Sequence, residues 1–316
     1  MDDLAIIIVS TNEAKWLRPC LTSIYAHAGS IQLDVVVADN ESTDGTRELV
    51  EAEFPAARVV TCENKGFAHA NNRGAMTADA RYVLFLNPDT EILEGTFAEL
   101  VQALDDRPSV GLVGVKQRTT DGSLFPTVRR FPNAFRALGE GIWPERFPLR
   151  RPAWLGEREL RMELYEQELE CDWTSGSFMF TRREALESAG LMDERSFIYS
   201  EEPDLCQRMR QAGWAIRHLP TMTILHHAGK AGVSERMLAQ DAFSRRLYAE
   251  KFFSRGHRAA YFAALSLSYV LRGVTGGRSD FGAQRRAANR RALRVLLGRE
   301  ESPFGPPPGQ AVAPRH

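Results

Sequence analysis

The stretch YVLFLNPDTEIL, residues 82–93, decides how the chain can fold. Its first five residues are apolar or aromatic, which is typical of a strand buried on both faces of a sheet. The strand runs directly into Asn87, Pro88 and Asp89. Because proline restricts the backbone, we expect Asp89 to occupy a defined position at the end of this strand. Taken alone, residues 87–90 are also typical of a simple turn, so a purely structural role stays open.

Three other apolar segments precede this strand and alternate with segments of helical periodicity. The predicted strands are residues 4–9, 33–39, 57–61 and 81–86, and the predicted helices are residues 13–27, 44–52 and 67–77. This alternation indicates an α/β fold with a Rossmann-like, mostly parallel sheet flanked by helices. In such sheets ligands bind beyond the carboxyl ends of the strands, so the loops that follow the strands form the candidate site.

The four loops after these strands are polar and contain no glycine-rich phosphate-binding motif. They read STNE (10–13), DNESTDGT (39–46), ENKGFAHANNRG (63–74) and NPDT (87–90). The lack of G-x-G-x-x-G and G-x-x-x-x-G-K-[ST] disfavours dinucleotide oxidoreductases and P-loop phosphotransferases. Asp89 could instead hold a phosphate through a divalent cation, because Mg²⁺ takes one or two carboxylates and completes its shell with substrate phosphates and water. We therefore predict Mg²⁺ or Mn²⁺ as the cofactor.

A second pair of carboxylates lies in SFIYSEEPDLCQRMRQAG, residues 196–213. Pro203 is typical of the first turn of a helix, and Gly213 is typical of its end. The pattern therefore places Glu201 and Glu202 at the helix N-terminus, facing away from the apolar stripe. A carboxylate there is stabilised by the helix dipole, and it could also act as a general base, so the sequence leaves both roles open.

Two adjacent histidines, His226 and His227, follow another apolar strand. A neutral imidazole can bind a divalent metal through one ring nitrogen. Adjacent side chains in a strand point to opposite faces, so at most one of the two is expected to face a metal, and we favour His226. A buried histidine that binds no metal is the alternative.

The charge of the chain is unevenly distributed. The net charge of the 316 residues is −1, but residues 243–299 contain twelve Arg and one Lys against two acidic residues, which leaves an acidic remainder. Such a basic segment could bind anionic lipid headgroups, lipid-linked phosphate or nucleic acid, or it could form a solvated helical face. The longest apolar run, Ala259 to Leu271, is shorter than the about 20 residues that span a membrane.

Six segments, taken together and in their order along the chain, resemble glycosyltransferase family 2, and in particular its bacterial rhamnosyltransferase-like branch. The resemblance spans about Leu4 to Gly229 and implies the GT-A fold. The segments are IIIVSTNEAKWLRPCLTSI, VVVADNESTDGT, NKGFAHANNRG, LFLNPDTEI, DWTSGSFMFTRREALESAGLMDERSFIYSEEPDLCQRMRQAG and HHAG.

The resemblance implies a nucleotide-sugar site formed by the first three loops. Residues of the first two loops would line the pocket for the base and ribose, and residues of the third loop would close it. The matching residues are Thr11, Glu13 and Asp39, with Asn40 and Asp44 beside them, and Lys65, Gly66 and Asn72 in the third loop.

The same resemblance implies the metal and the base. Asp89 would be the metal-holding aspartate of a D-x-D type motif whose first position is the neutral Asn87 here, and His226 would complete the metal site. Glu202 would be the general base and Glu201 its neighbour, although the family usually has Glu-Asp at these positions. A further segment would lie where the acceptor or the donor sugar passes, and it contains Trp173, Ser175 and Gly176. Trp173 could equally belong to the core.

The function that the resemblance implies is that of an inverting, metal-dependent hexosyltransferase. Our first expectation is transfer of rhamnose from dTDP-rhamnose to a glycan or polyprenyl-linked acceptor in cell-envelope polysaccharide synthesis. Two alternatives stay open. One is a non-catalytic, nucleotide-sugar-binding membrane scaffold, because Glu202 replaces the usual Asp, and the other is a sugar nucleotidyltransferase.

We expect three parts in the chain. These are a catalytic domain over residues 1–235, with an active-site excursion over 124–171, a basic helical region over 236–300, and a disordered tail over 301–316. The acidic N-terminus does not resemble a signal peptide, and the four cysteines form no C-x-x-C pair, so we expect a cytoplasmic protein. The basic region is expected to contact the inner face of the plasma membrane peripherally. Nucleic acid is not expected as a partner, and a homodimer stays open.

Overall fold

The structure is a computed structural model that describes residues 2–143, 152–227, 234–274 and 280–305. The chain forms two compact units. The first unit comprises Met1–Arg129, Glu159–Met192 and Glu202–Gly229, and the second comprises Arg130–Arg158, Asp193–Glu201 and Lys230–His316.

Nine strands and ten α-helices lie within the described residues. The strands are β1 (Asp2–Ser10), β2 (Leu33–Asp39), β3 (Ala57–Thr61), β4 (Ala80–Leu86), β5 (Thr90–Glu94), β6 (Val110–Arg118), β7 (Leu169–Glu170), β8 (Phe178–Arg182) and β9 (Ala215–His226). The helices are α1 (Ala14–Ala26), α2 (Thr46–Glu53), α3 (Phe67–Met76), α4 (Phe97–Asp105), α5 (Ala134–Ile142), α6 (Arg183–Ala189), α7 (Glu201–Gln211), α8 (Glu235–Phe252), α9 (Arg255–Val274) and α10 (Asp280–Leu296).

The first unit is built on one sheet with the strand order β3-β2-β1-β4-β8-β6-β9-β5, and β7 pairs with β9. The four strands predicted from the sequence are confirmed, and they pair in parallel. The second half of the sheet is mixed, because β8 runs antiparallel to β4 and β6, and β5 and β7 run antiparallel to β9. The predicted parallel pairing therefore describes the first half of the sheet, and in the second half β6 and β9 also pair in parallel. The antiparallel pairs were not predicted, since an apolar strand shows the same pattern in either direction.

The core of the first unit fixes the ends of the strands. Residues 4–8 of β1 and residues 82–85 of β4 are fully buried, and helices α1 and α4 pack on one face of the sheet. Strands buried on both faces resist displacement, because interiors are packed at the density of organic crystals. The loops at their carboxyl ends therefore start from fixed backbone positions.

Close packing between α3 and β1 gives a stability prediction. A Cβ atom on Gly74 would overlap Cγ2 of Ile7. We expect Gly74→Ala to destabilise the protein by about 1–3 kcal/mol, measured by urea unfolding, because the core cannot take the added atom. Ile7→Ala removes the overlapping atom, so the double variant should lose less than the sum of the two single variants. An additive double variant would contradict the contact.

The second unit contains α5, α8, α9 and α10 around its own apolar cluster, which includes Tyr261, Leu265 and Tyr269. A buried charge lies within it, since Arg245 donates to Glu157 at 3.0 Å and to Asp241 at 2.9 Å. Burial opposes this charge, but the two carboxylates raise the pKa of Arg245 well above its usual value. The guanidinium therefore stays charged inside the unit.

The two units differ from the three consecutive parts predicted from the sequence. Residues 130–158 and 193–201 group with the C-terminal helices, so the second unit includes segments of the predicted catalytic domain.

The structure also describes residues 301–305 of the predicted disordered tail. The ring of Phe304 stacks on that of Phe197 with centroids 4.1 Å apart, and the side chain of Ser302 donates to Gln240 at 3.0 Å. These contacts order residues for which composition alone predicts disorder. Residues 306–316 of the predicted tail lie outside the described residues.

In the described part of the chain, no helix combines the length and the apolar character that a membrane span requires.

Candidate active site

The loops after β1 and β2 are joined by hydrogen bonds from side chain to main chain. Oδ1 of Asn12 accepts from the N–H of Thr43 at 2.7 Å, and a carboxylate oxygen of Asp44 accepts from the N–H of Ala14 at 2.9 Å. Asn12 lies in the left-handed region, with φ 58°, which asparagine tolerates better than most residues. Sequence reasoning did not single out Asn12, and an asparagine at the end of a buried strand was the available signal.

Three predicted nucleotide-binding residues meet where β1, β2 and β3 end. Asp39 and Asn40 are buried, and Oδ1 of Asp39 accepts from the N–H of Ser42 at 3.1 Å. The amide of Asn40 donates to Thr11 Oγ1 at 3.3 Å and to Asn64 Oδ1 at 2.9 Å. The structure thus brings Thr11, Asp39 and Asn40 together as a polar floor at the carboxyl edge of the sheet.

Asp44 is held in its charged form at this edge. Burial opposes the charge, but hydrogen bonds from Thr46 and from the N–H of Ala14 lower the pKa of Asp44. Its carboxylate therefore orders the second loop.

In the third loop, Lys65 and Gly66 differ in environment from Asn72. Lys65 is exposed and pairs with Glu63 at 2.5 Å, and Gly66 has φ 107°, a conformation that favours glycine. Asn72 is buried, and its amide donates to the carbonyl of Met192 and accepts from its N–H at 2.9 and 3.0 Å. The amide of Asn72 therefore holds the backbone of Met192, and its role in closing the nucleotide site stays a prediction.

Asp89 lies in the short turn between β4 and β5, next to the end of β9. Oδ1 of Asp89 is 3.3 Å from Nε2 of His226, and its carbonyl accepts from the N–H of His227 at 2.8 Å. Both side chains are partly buried. A turn and a functional site, which were alternatives in the sequence, are compatible in the structure, because the turn places Asp89 next to His226.

Glu13 adds a second acidic group near this turn. Burial raises the pKa of Glu13, and the carboxylate of Asp89 raises it further. Like charges at close range disfavour ionisation, and a cation between them would relieve this repulsion. The electrostatics of the turn therefore suit a positive ligand.

The side chains at the turn fit a divalent cation. Two ligand atoms bound to one ion at about 2.1 Å and at right angles lie about 3 Å apart, which is close to the observed separation of Asp89 and His226. Among the described residues, no group of three or more His, Cys, Asp or Glu is arranged to hold a metal. An ion here would therefore need further ligands from a substrate, as Mg²⁺ and Mn²⁺ commonly do with phosphates.

The neighbouring histidine has a different environment. Nε2 of His227 lies 2.5 Å from Oε1 of Glu91, and its ring stacks on Trp16 with centroids 4.6 Å apart. His227 therefore points away from Asp89, as the alternation along a strand requires. Sequence reasoning did not identify Trp16 or Glu91, although both lie in segments that carry the family resemblance, because their contacts with His227 join residues far apart in the chain.

A cysteine lies beneath the same turn. The thiol of Cys20 is 3.9 Å from the carbonyl of Asn87 and from Oγ1 of Thr90. Burial raises the pKa of Cys20 to about 12. The thiol is therefore neutral and serves to pack the turn rather than to act as a nucleophile.

Glu202 lies in the first turn of α7 and packs on Gly176. A Cβ atom on Gly176 would lie 3.0 Å from Cδ of Glu202 and even closer to Oε1. The absence of a side chain at residue 176 thus makes room for the carboxylate. Glu202 is half-buried, whereas Glu201 is buried, which contradicts the prediction that both face away from the packed side of the helix.

The backbone directly before α7 is strained. Tyr199 and Ser200 have φ 74° and 66°, in a region that costs non-glycine residues roughly 1–3 kcal/mol each. The loop is held in place because the carbonyl of Ile198 accepts from Ser244 Oγ at 2.8 Å and from Ser196 Oγ at 3.0 Å. Such strain, retained by specific bonds, is common next to functional residues.

The segment predicted to meet the sugar is only partly accessible. Trp173 is buried, with the guanidinium of Arg129 5.2 Å from its ring centroid, so its burial supports the core alternative. Ser175 is half-buried, and its hydroxyl lies 3.0 Å from that of Ser177. Of the three residues, Gly176 has the clearest relation to the site, through Glu202.

The polar carboxyl edge of this sheet, with an acidic turn facing a histidine, lies where open α/β sheets bind ligands and is compatible with a GT-A glycosyltransferase. The model of the family described as "Glycosyl transferase family 2" matches residues 5–189, and the chain belongs to that family. The resemblance found in the sequence and the predicted GT-A fold are thereby confirmed.

Relatives in two bacteria and one solved structure agree with this assignment. The chain is 31% identical to N-acetylglucosaminyl-diphospho-decaprenol L-rhamnosyltransferase of Mycobacterium tuberculosis, over 94% of this chain and 99% of the relative. It is 23% identical to rhamnosyltransferase WbbL of Escherichia coli, over 71% of this chain and 83% of the relative. The fold is similar to that of the mannosyltransferase PcManGT from Pyrobaculum calidifontis, in complex with GDP-Man and Mn²⁺. The TM-score is 0.56 at 16% identity, covering 95% of this chain and 88% of that one.

Proposed function

We propose that the chain is an inverting rhamnosyltransferase that transfers rhamnose from a nucleoside-diphosphate donor to a lipid-linked acceptor in cell-envelope synthesis. The donor we favour is dTDP-rhamnose. The observation that carries the proposal is the pair Asp89 and His226, 3.3 Å apart at the end of β4 and β9. The named substrate of the Mycobacterium tuberculosis relative, which is similar along nearly the whole chain, supports the lipid-linked acceptor.

In this proposal the donor diphosphate lies at the carboxyl edge of the sheet. Thr11, Asp39 and Asn40 contact the nucleoside, and Lys65 lies on the exposed third loop. Asp89 and His226 would hold Mg²⁺ or Mn²⁺, and such an ion would supply positive charge to stabilise the departing diphosphate. The protein side chains bind and orient the donor so that its anomeric carbon is open to attack from one face.

Glu202 completes the reaction from the acceptor side. Its carboxylate takes the proton of the attacking acceptor hydroxyl while the new bond from this oxygen to the anomeric carbon forms. The bond from the anomeric carbon to the diphosphate oxygen breaks, and its electron pair leaves with the nucleoside diphosphate. Attack on the face opposite the departing group inverts the configuration.

A calorimetric titration with UDP, dTDP and GDP, each with Mn²⁺ and with EDTA, tests the donor site. We expect dTDP to bind with Mn²⁺ and to lose most of its affinity in EDTA, because the phosphates and the ion complete each other's coordination. Equal affinity in EDTA would remove the metal from the proposal. No binding of any nucleotide would instead favour a non-catalytic scaffold that retained the fold.

The family assignment weighs against a sugar nucleotidyltransferase. Release of pyrophosphate from a nucleoside triphosphate and a sugar phosphate would support that alternative.

We also propose that the protein acts peripherally at the inner face of the plasma membrane, where a polyprenyl-linked acceptor would lie. A homodimer stays a prediction.

A further inference from the structure

The outward face of α9 is apolar along most of the helix. Leu267, Val270 and Val274 are 45%, 49% and 75% exposed, and Ala263 is exposed one turn before them. The spacing of four, three and four residues places the four side chains on one stripe. This apolar stripe is therefore not covered by any residue that the structure describes.

Helix α5 packs closely against α9 and adds two exposed apolar side chains, Phe135 and Ile142. The hydroxyl of Ser268 on α9 donates to the carbonyl of Ala137 on α5 at 3.0 Å, and a Cβ on Gly141 would overlap Ser268. We call the six residues Ala263, Leu267, Val270, Val274, Phe135 and Ile142 the apolar surface of α9 and α5.

Exposed apolar side chains are concentrated in the second unit. Seven of the ten large hydrophobic residues that are exposed in the described chain belong to it, although it is the smaller unit. Single exposed hydrophobics are ordinary, whereas a concentration of them on packed helices marks an interaction surface.

The charges on α9 indicate which kind of partner fits the apolar surface. Helix α9 contains three arginines and no acidic residue. Arg255 and Arg258 of α9, and Arg290 of α10, form no ion pair with any residue that the structure describes. Unpaired positive charges on the helix that carries the apolar stripe complement a surface that is apolar inside and anionic at its headgroups. A second copy of the chain would instead bring like charges together.

We infer that the apolar surface of α9 and α5 docks the protein on an anionic lipid bilayer. The apolar side chains would enter the region between headgroups and acyl chains, while the arginines stay at the level of the phosphates. This inference rests on the proposed function for its purpose, since a lipid-linked acceptor presents its diphosphate at that same level. Neither the family assignment nor the candidate active site defines the apolar surface of α9 and α5.

Flotation of the full chain with vesicles tests the inference. We expect binding to vesicles that contain phosphatidylglycerol and phosphatidylcholine, and little binding to phosphatidylcholine alone, with affinity that falls as salt is raised. The double variant Val270→Glu and Val274→Glu should weaken vesicle binding by at least about tenfold, because it places two acids against an anionic surface.

Two controls separate docking from general damage. Met76→Glu changes a side chain that is 64% exposed on α3 of the first unit, and it should bind vesicles like the unchanged protein. Arg255→Glu with Arg258→Glu removes positive charge without touching the apolar stripe, and it should also reduce binding. Wild-type affinity in both double variants would overturn the inference. So would equal binding to both kinds of vesicle, or a dimer in sedimentation that only Val270→Glu and Val274→Glu disrupts.

An acceptor with a short, water-soluble prenyl chain distinguishes this inference from the proposed function. The docking variants should transfer sugar to the soluble acceptor at the unchanged rate and lose activity only on acceptor embedded in vesicles. Transfer to the soluble acceptor without any vesicle binding would overturn docking and leave the function intact. Vesicle binding that the variants abolish, without transfer to any acceptor, would support docking and contradict the proposed function.

Discussion

Glu202→Gln is expected to lower the rate of sugar transfer by about 10²–10⁴-fold and to leave the affinity for the nucleotide donor unchanged. The amide has nearly the shape of the carboxylate, so it fits the space above Gly176 in the same way. It cannot accept the proton of the acceptor hydroxyl, and the bond to the anomeric carbon would have to form without a base. The measurements are single-turnover transfer and calorimetric donor binding on the same preparation.

Glu202→Asp is the matched comparison for this result. It keeps the charge and withdraws the carboxylate by about 1.5 Å, the length of one methylene. If Glu202 is the base, the aspartate variant should retain more activity than the glutamine variant, because it can still take a proton. Normal turnover in Glu202→Gln would remove this residue from the chemistry and leave its carboxylate as a helix cap.

Asp89→Ala is expected to weaken metal-dependent donor binding by at least about 100-fold. Loss of a residue that only supports a metal ligand costs 10–100-fold in affinity, and loss of the carboxylate ligand itself should cost no less. The repulsion between Asp89 and Glu13 would also vanish, and Glu13 would be the one of these two acids left to attract an ion. The measurement is a Mn²⁺ titration in the presence of saturating nucleotide.

Glu91→Gln is the control for the effect at Asp89. Glu91 is an acid two residues further along the chain, in β5, but it pairs with His227 instead of His226. We expect its metal titration to resemble that of the unchanged protein. An unchanged titration in Asp89→Ala, or equal losses in both variants, would exclude a specific ion at this turn.

The sequence predicted the first half of the sheet well, because its strands are buried on both faces and leave continuous apolar runs. The observed strands at residues 33–39 and 57–61 agree with the predicted bounds, and the strand before Asp89 starts one residue early. The same reasoning placed the polar loops at one edge. Periodicity carries no information on strand direction, so the antiparallel pairs of β8 could not be found in this way.

The contacts that sequence reasoning could not predict are those between residues that lie far apart in the chain. Asn72 matched a nucleotide-binding position, but its partner Met192 is 120 residues distant. Trp173 is buried beside Arg129, and Phe304 is held by Phe197. None of these contacts leaves a local pattern, whereas Asp89 was identified because the strand, the proline and the carboxylate are consecutive.

The contact between Gly176 and Glu202 has a consequence for how these enzymes diversify. In this chain the longer acid fills the space that a side chain at residue 176 would need. A relative with the shorter aspartate at the base position would leave that space empty and could carry alanine at the other position. We therefore expect the two positions to change together when many relatives are aligned. Paired substitutions at residues 176 and 202, which are 26 residues apart, would then indicate that the position of the proposed base is constrained.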